Sequence, residues 1–415
     1  MKFFFPDSQD QIDPGFDFRT EERSALRVRQ RDDLYAHEAL GGRVLDGLLV
    51  SKAIVDGIPG ATGKYTLAQR QRLYREGVRR FFRLDHGSGP PPLTMGDCGA
   101  FNYWREEIPP YTPDQVIDFY DDCDFDLGIS VDHVILGYDP AADHDSEHPQ
   151  RAGWQARQSL TLDLARDFLA RSRARNVRFT PLGVAQGWSP ASYARAVRDL
   201  QEIGYTRIAV GGMVPLKTNE ILDSLKAIET VRAPGTQLHL LGITRCSNIS
   251  EFATFGVTSF DSTSPFRQAF KDDKDNYHVL DRTYTAVRVP QVDGNPKLKA
   301  AIKAGRISQK EAAIRERECL VSLYEYDRGT IGLQQTVAAL MHYEELFSGR
   351  HDYTTAYTET LERSPWKHCG CRICEQAGIN VIMFRGSERN KRRGFHNLYV
   401  FRQRLDRELG RRSAA

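Results

Sequence analysis

The chain has 415 residues, of which 40% are hydrophobic and 27% charged, an ordinary globular composition that excludes long disorder as its main content. No run approaches the about 18 consecutive apolar residues that a membrane-crossing helix requires, and the length suits two to three domains or one large barrel with additions. A formal charge of only +2 excludes nothing by itself, so partners must be read from where the charge lies.

Taken from the N-terminus, Phe3, Phe4 and Phe5 give way at once to Pro6 and Asp7, too short an apolar stretch for a secretion signal. The expected compartment is therefore the cytoplasm, with no membrane attachment. Seven cysteines, an odd number without an export signal, argue against a disulfide framework. Residues 1–45 read as an N-terminal extension. Over 46–265 short apolar runs alternate with stretches of helical period. The strand candidates are Gly47–Ile54, Leu93–Asp97, Leu127–Asp132, Arg178–Val184, Arg207–Gly211, Leu238–Ile243 and Val257–Asp261. Thr112-Pro113 and Ser189-Pro190 each place a capping hydroxyl before a proline at a helix start. Strands alternating with helices imply a mostly parallel sheet, doubly wound or closed as a (β/α)8 barrel. Seven strands are one short of closure, and the eighth is placed near Leu26–Arg29.

After Asp261 the rhythm breaks. Residues 266–362 read as an insertion with strand-like Tyr284–Val289, a turn at Asp293-Gly294-Asn295-Pro296, and helices near Lys297–Lys303 and Ser308–Tyr324. Two helices joined at Gly305 can read a DNA groove, although most such pairs are plain helical hairpins. Residues 363–400 form a cysteine-rich segment and 401–415 a basic C-terminal helix, its pattern running from His396 to Arg412 with Leu398, Phe401 and Leu405 on one face. From Arg363 to Ala415 there are 13 Lys and Arg against four Asp and Glu, where a polyanion is expected to bind.

Within that segment Cys369, Cys371 and Cys374 precede His396. Three thiolates and an imidazole suit tetrahedral zinc in a structural site. His368 competes as the fourth ligand, but its adjacency to Cys369 favours His396. Zinc there would staple a lobe carrying Arg385, Arg389, Lys391, Arg392 and Arg393, a set that can grip phosphates. In the alternating region Asp97, Asp132 and Asp261 each fall at the carboxyl end of a strand, where parallel α/β folds gather their sites. Any one of them alone is more often a turn or cap. Paired carboxylates serve glycosidic chemistry, which points to a sugar–base or sugar–sugar bond. Gln186-Gly187 and Gly211-Gly212-Met213 reach the same face; glycine permits close backbone approach and the glutamine amide suits a planar base edge, though both segments also read as simple turns. Gly60 to Tyr65 is not a phosphate loop, since Ile58 stands where the first glycine belongs. Asp143 to His148 reads as a solvated connector, and the arginines between Arg70 and Arg83 as the outer face of one helix.

These residues resemble the queuine/archaeosine tRNA-guanine transglycosylase superfamily, and more closely its DNA-guanine transglycosylase branch. Asp97-Cys98-Gly99-Ala100-Phe101 stands for the family's Asp-Ser-Gly-Gly-Phe, Gln186-Gly187 for Gln-Gly, and Ala209-Val210-Gly211-Gly212-Met213 for Ala-Val-Gly-Gly-Leu. Phe260-Asp261 matches Phe-Asp, and Cys369, Cys371 and Cys374 with His396-Asn397-Leu398 match the zinc motif. The matches arrive in family order from about residue 90 onward, and Lys2-Phe3-Phe4-Phe5-Pro6-Asp7-Ser8 is similar to the DNA-directed branch. The resemblance implies an α/β fold: a (β/α)8 TIM barrel with an insertion after the last strand and a C-terminal structural zinc subdomain. It implies base exchange in DNA, with Asp261 as nucleophile and Asp97 as general acid/base. Cys98, Asp132, Gln186, Gly211, Gly212 and Met213 would hold the base, and Cys369, Cys371, Cys374 and His396 the Zn2+. The expected incoming base is a 7-deazaguanine, 7-cyano-7-deazaguanine from the branch. Expected partners are DNA, other proteins of a DNA-modification system and a second copy of the chain. Cys98 for Ser, Ala100 for Gly, His133 and Val134 after Asp132, Met213 for Leu, and the long insertion depart from the tRNA enzymes. The alternatives are a tRNA-guanine transglycosylase, a guanine-removing hydrolase, or a nucleic-acid-binding subunit without catalysis.

Overall fold

The structure, a computed structural model, describes residues 1–85, 90–347 and 352–411. The chain forms two compact units. Met1–Gln9, Leu45–Thr263 and the stretch from Leu405 make the first; Asp10–Val44 and Ser264–Arg404 make the second.

In the first unit eight strands close a barrel: β1 Lys2–Pro6, β2 Gly47–Ser51, β3 Leu93–Asp97, β4 Leu127–Ile129, β5 Thr180–Ala185, β6 Arg207–Val210, β7 Gln237–Leu240 and β8 Val257–Asp261. The order around the ring is β1-β8-β7-β6-β5-β4-β3-β2, and every pairing is parallel. Phe4, Leu49, Met95, Ile129, Leu182, Val184 and Ala209 fill the interior, as a barrel closed by side chains requires. Crossover helices lie between strands: α1 Leu67–Phe81, α2 Pro113–Asp122, α3 Arg151–Ala174, α4 Pro190–Ile203, α5 Thr218–Glu229 and α6 Ile249–Thr254. Both expected caps are present. Thr112 Oγ1 accepts from the Gln115 amide at 3.3 Å and Ser189 Oγ from the Ser192 amide at 3.0 Å, each ahead of a proline in the first turn.

The eighth strand is not near Leu26–Arg29, as the sequence pattern suggests, but at Lys2–Pro6. Leu26 sits in a turn, 89% exposed, whereas Phe3, Phe4 and Phe5 are all buried. Three consecutive aromatics are what a strand covered on both faces demands. Phe4 stands opposite Asp261 on one side and Gly47 on the other. Asp46 clamps the strand's start, its carboxylate accepting from the Phe3 amide at 2.9 Å.

The second unit holds α7 Ser264–Lys271, α8 Pro296–Lys303, α9 Gln309–Asp327, α10 Leu333–Phe347, α11 Thr354–Arg363, α12 Arg372–Ala377 and the start of α13 Gly386–Glu408, with two-residue strand pairs. The run expected as one strand at Tyr284–Val289 is two pieces, Thr283–Tyr284 and Val287–Arg288, in different pairs. Residues 348–351 of the expected insertion and 412–415 of the expected C-terminal helix lie outside the described residues.

Helix α13 begins ten residues before His396, so the basic segment is no open loop. Arg385 just ahead of it and the arginines of its first turns are buried. Arg385 meets Glu21 and Glu316 at 2.6 Å each, Arg389 pairs with Glu21, and Arg392 meets Glu388 at 2.7 Å. Arg393, fully buried, donates to the carbonyls of Val381 at 3.2 Å and Met383 at 3.0 Å, and Lys391 Nζ to that of Gln11 at 3.0 Å. Burial alone would raise the Glu21 carboxyl, yet hydrogen bonds from Arg385 and Gln291 and the neighbouring guanidinium charges hold it at about 2. Arg385, Arg389, Arg392 and Arg393 are buried in these internal pairings, which corrects the expectation of a phosphate-gripping lobe. No helix among the described residues is long and apolar enough to cross a membrane.

Because β1 completes the ring, Phe3→Ala should cost about 3–5 kcal/mol in urea unfolding. A loss under about 1 kcal/mol would mean that this segment is a dispensable extension.

Candidate active site and metal centre

The side chains singled out by the sequence gather where parallel barrels place their sites, at the carboxyl ends of the strands. Asp97 is the last residue of β3 and Asp261 the last of β8; Asp132 lies just beyond β4, Gln186 follows β5, and Gly211-Gly212 follow β6.

Asp261 is 7% exposed, and its Oδ1 receives two contacts, from the Gly242 amide at 3.0 Å and from His239 Nε2 at 3.2 Å. Asp132 is buried with both oxygens engaged: Cys98 Sγ donates to Oδ1 at 3.2 Å and Gln186 Nε2 to Oδ2 at 2.6 Å. Gln186 is itself oriented by the Ile135 amide on its Oε1 at 3.2 Å and by Gln158 Nε2 on its main-chain carbonyl at 2.7 Å. The Tyr103 hydroxyl backs the sulfur of Cys98 at 3.0 Å. Cys98 and Met213 are fully buried, so they shape the wall, and Cys98 touches the site through Asp132. The Tyr193 hydroxyl holds the Gly211 carbonyl at 2.9 Å. Gly212 has φ +75°, and a Cβ there would lie 2.4 Å from the Ile135 carbonyl, so only glycine fits.

Three carboxyl groups in one poorly hydrated mouth cannot ionise independently. Burial, then the charges of Asp132 and Asp261, push Asp97 up to about 8. Burial also raises Asp132, but donation from Cys98 and Gln186 limits it to about 6. Near neutrality one carboxyl is therefore an acid and its neighbour a carboxylate. Such divergence leaves one group able to give a proton and its neighbour able to accept hydrogen bonds.

Sequence reasoning missed His239, Tyr103, Gln158 and Tyr193. His239 had a readable signal, a polar residue inside the apolar run Leu238–Leu241. Tyr103 and Gln158 act from loop and helix positions that become neighbours only on folding. Asp143, expected in a solvated connector, accepts from Trp188 Nε1 at 3.1 Å and from the Ser189 hydroxyl.

In the second unit Cys369, Cys371, Cys374 and His396 offer ligand atoms all within 4.8 Å of one another. The three sulfurs lie 3.4, 3.5 and 3.3 Å from His396 Nδ1. His396 Nε2 donates to the His278 carbonyl at 2.7 Å, which leaves Nδ1 with its lone pair toward the sulfurs. The Tyr277 ring stacks on the imidazole at 4.1 Å, and the Cys374 amide points at the Cys371 sulfur at 3.4 Å. His368 is exposed and outside the cluster. The four residues can hold a metal ion.

The sequence is 49% identical over 417 residues to the DNA-guanine transglycosylase of Salmonella montevideo, covering 100% of this chain and 98% of that protein. No family model matches the chain.

The raised Asp97 has a thermodynamic consequence. Between its ordinary 3.8 and about 8 the folded chain keeps a proton that the unfolded chain loses, so stability falls as pH rises through that window. Asp97→Asn should flatten this decline and raise the urea midpoint at pH 8 relative to pH 5. Parallel profiles for the two proteins would show that Asp97 titrates normally.

Proposed function

The chain belongs to the DNA-guanine transglycosylase family and is a guanine transglycosylase, and we propose that it replaces guanine in DNA with a 7-deazaguanine through a covalent Asp261–sugar intermediate. The observation that carries this reading is the placement of Asp97 and Asp261 at the ends of β3 and β8, with Asp97 held protonated by burial and by the charges of Asp132 and Asp261.

In the first half-reaction an Asp261 oxygen attacks C1′ of the deoxyribose as the bond to guanine N9 breaks, and Asp97 gives its proton to the departing base. In the second, N9 of the incoming base attacks C1′, the ester bond to Asp261 breaks, and the proton of N9 returns to Asp97. Two displacements retain configuration. The guanine must leave the duplex stack to reach the barrel mouth. Asp132, Gln186 and Gly212 hold its edge: an ionised carboxylate offers about four acceptor positions, so Asp132 can accept base N–H groups beyond its contacts with Cys98 and Gln186. Gly211 and Met213 line the pocket and Cys98 supports it through Asp132. The family branch favours 7-cyano-7-deazaguanine as the incoming base, and the departures around Asp132 favour DNA over tRNA.

The metal centre is assigned to zinc, whose preference for thiolate and imidazole in a closed tetrahedron fits the donor set. Cys369, Cys371, Cys374 and His396 would hold it as a structural ion. Contact with the DNA backbone is assigned to α8, the turn after it and the start of α9. There Lys297, Lys299, Lys303, Arg306 and Lys310 are exposed with no ion-pair partner among the described residues.

Digestion of DNA and tRNA to nucleosides, followed by mass spectrometry, tests the reaction in cells carrying the wild-type gene with its neighbours or Asp261→Ala. A deazaguanine deoxynucleoside should appear with the wild type alone. Modification confined to tRNA would overturn the DNA assignment, and persistence in Asp261→Ala would overturn the covalent role. For the metal, stripping by a chelator should release about one zinc per chain and lower the melting temperature. Unchanged melting after verified metal loss would contradict a structural ion.

A further inference from the structure

We propose that His239 is a positioning residue that commits one oxygen of Asp261 to the protein and leaves the other to attack C1′, an inference that rests on Asp261 serving as nucleophile. His239 lies on β7 in register with Ser259 of β8, two residues before Asp261, so the pairing of these strands brings the imidazole to the carboxylate. Its Nε2 is 3.2 Å from Asp261 Oδ1 and its Nδ1 is 2.9 Å from Ser259 Oγ. A carboxylate accepts only, so Nε2 must carry the ring proton; Nδ1 then accepts from the Ser259 hydroxyl, which fixes the tautomer. The ring is 2% exposed as a side chain and meets Phe4 edge-on at 5.6 Å and 83°, which restrains its plane.

The Gly242 amide donates to the same Oδ1 at 3.0 Å. With two donors on Oδ1, rotation of the carboxyl group about its bond to Cβ would break both contacts. Oδ2 is thereby selected as the oxygen that bonds C1′. In the return step the Oδ2–C1′ bond breaks and its electron pair re-forms the carboxylate. The two donors then meet charge that grows on the group they already hold.

The geometry sets a side-chain code for the test. A glutamine amide reaches about where His Nε2 lies, an asparagine amide only about as far as Nδ1, and leucine donates nothing. Exchange of labelled guanine into a duplex oligonucleotide by the full-length, metal-loaded protein should show kcat for His239→Gln within about fivefold of wild type, the cost of one weakened hydrogen bond. His239→Asn and His239→Leu should lose kcat on the order of 100-fold, with KM for DNA nearly unchanged. Equal rates for Gln and Asn, wild-type kcat in His239→Leu, or an effect confined to KM would overturn the role. Asp261→Ala in the same assay separates the premise: retained exchange there sinks the nucleophile reading itself. Nitrogen-15 spectra of histidine-labelled protein give a readout independent of turnover. The resonances lost in His239→Gln should report a proton on Nε2, and a proton on Nδ1 alone would overturn the proposal.

Discussion

Asp97, Asp132 and Asp261 share one barrel mouth from which most water is excluded, and the repulsion among them must be met by the rest of the first unit. Each group meets it differently. Asp97 keeps a proton, Asp132 takes one donor on each oxygen, and Asp261 takes two donors on a single oxygen. These solutions are not interchangeable. A carboxyl held neutral can give a proton to a leaving group, one with both oxygens engaged is fixed in orientation, and one with an oxygen free can form a bond. Three chemically identical side chains thus acquire three states from their neighbours alone.

The neighbours are set by barrel closure. Asp261 ends a strand flanked by β1 on one side and β7 on the other, so Phe4 and His239 both arrive through strand pairing rather than through a loop. Loops move more readily than paired strands. A carboxylate and an imidazole that both lie on paired strands keep their geometry without a ligand, which is what the covalent reading proposed above requires. The barrel's first strand, far from Asp261 in sequence, therefore helps to hold that carboxylate in place.

Seven strands were legible as apolar runs alternating with helical stretches, and the three aspartates because each closes such a run. The first strand was not: Phe3 to Phe5 is too short to show a period, and Pro6 reads as a break. His239 was overlooked because one histidine in an apolar run has no sequence-local partner. The arginines between Arg385 and Arg393 failed for the opposite reason. Composition counted them as free charge, but Glu21 and Glu316, which neutralise Arg385, lie hundreds and tens of residues away. Net charge over a window reports what must be neutralised, not by what. The cations of α8 and the start of α9 are fewer than those of the C-terminal segment, yet Lys297, Lys299, Lys303, Arg306 and Lys310 are all exposed whereas Arg385, Arg389, Arg392 and Arg393 are buried.

Cys98 shows how a small departure from a family pattern redistributes work. A thiol is a weaker donor than a hydroxyl, so Asp132 leans more on Gln186, whose amide is the shorter contact at 2.6 Å against 3.2 Å for the sulfur. Gln186 in turn is held by the Ile135 amide and by Gln158 of α3. The orientation of the Asp132 carboxylate consequently depends on a helix packed outside the barrel, two contacts away. The Tyr103 hydroxyl beside the Cys98 sulfur supports the remaining contact from the loop after β3, the strand that ends in Asp97. The loop after Asp97 and the Asp132 carboxylate are thereby coupled through one sulfur atom, and serine at this position would strengthen the direct contact while shifting load away from α3.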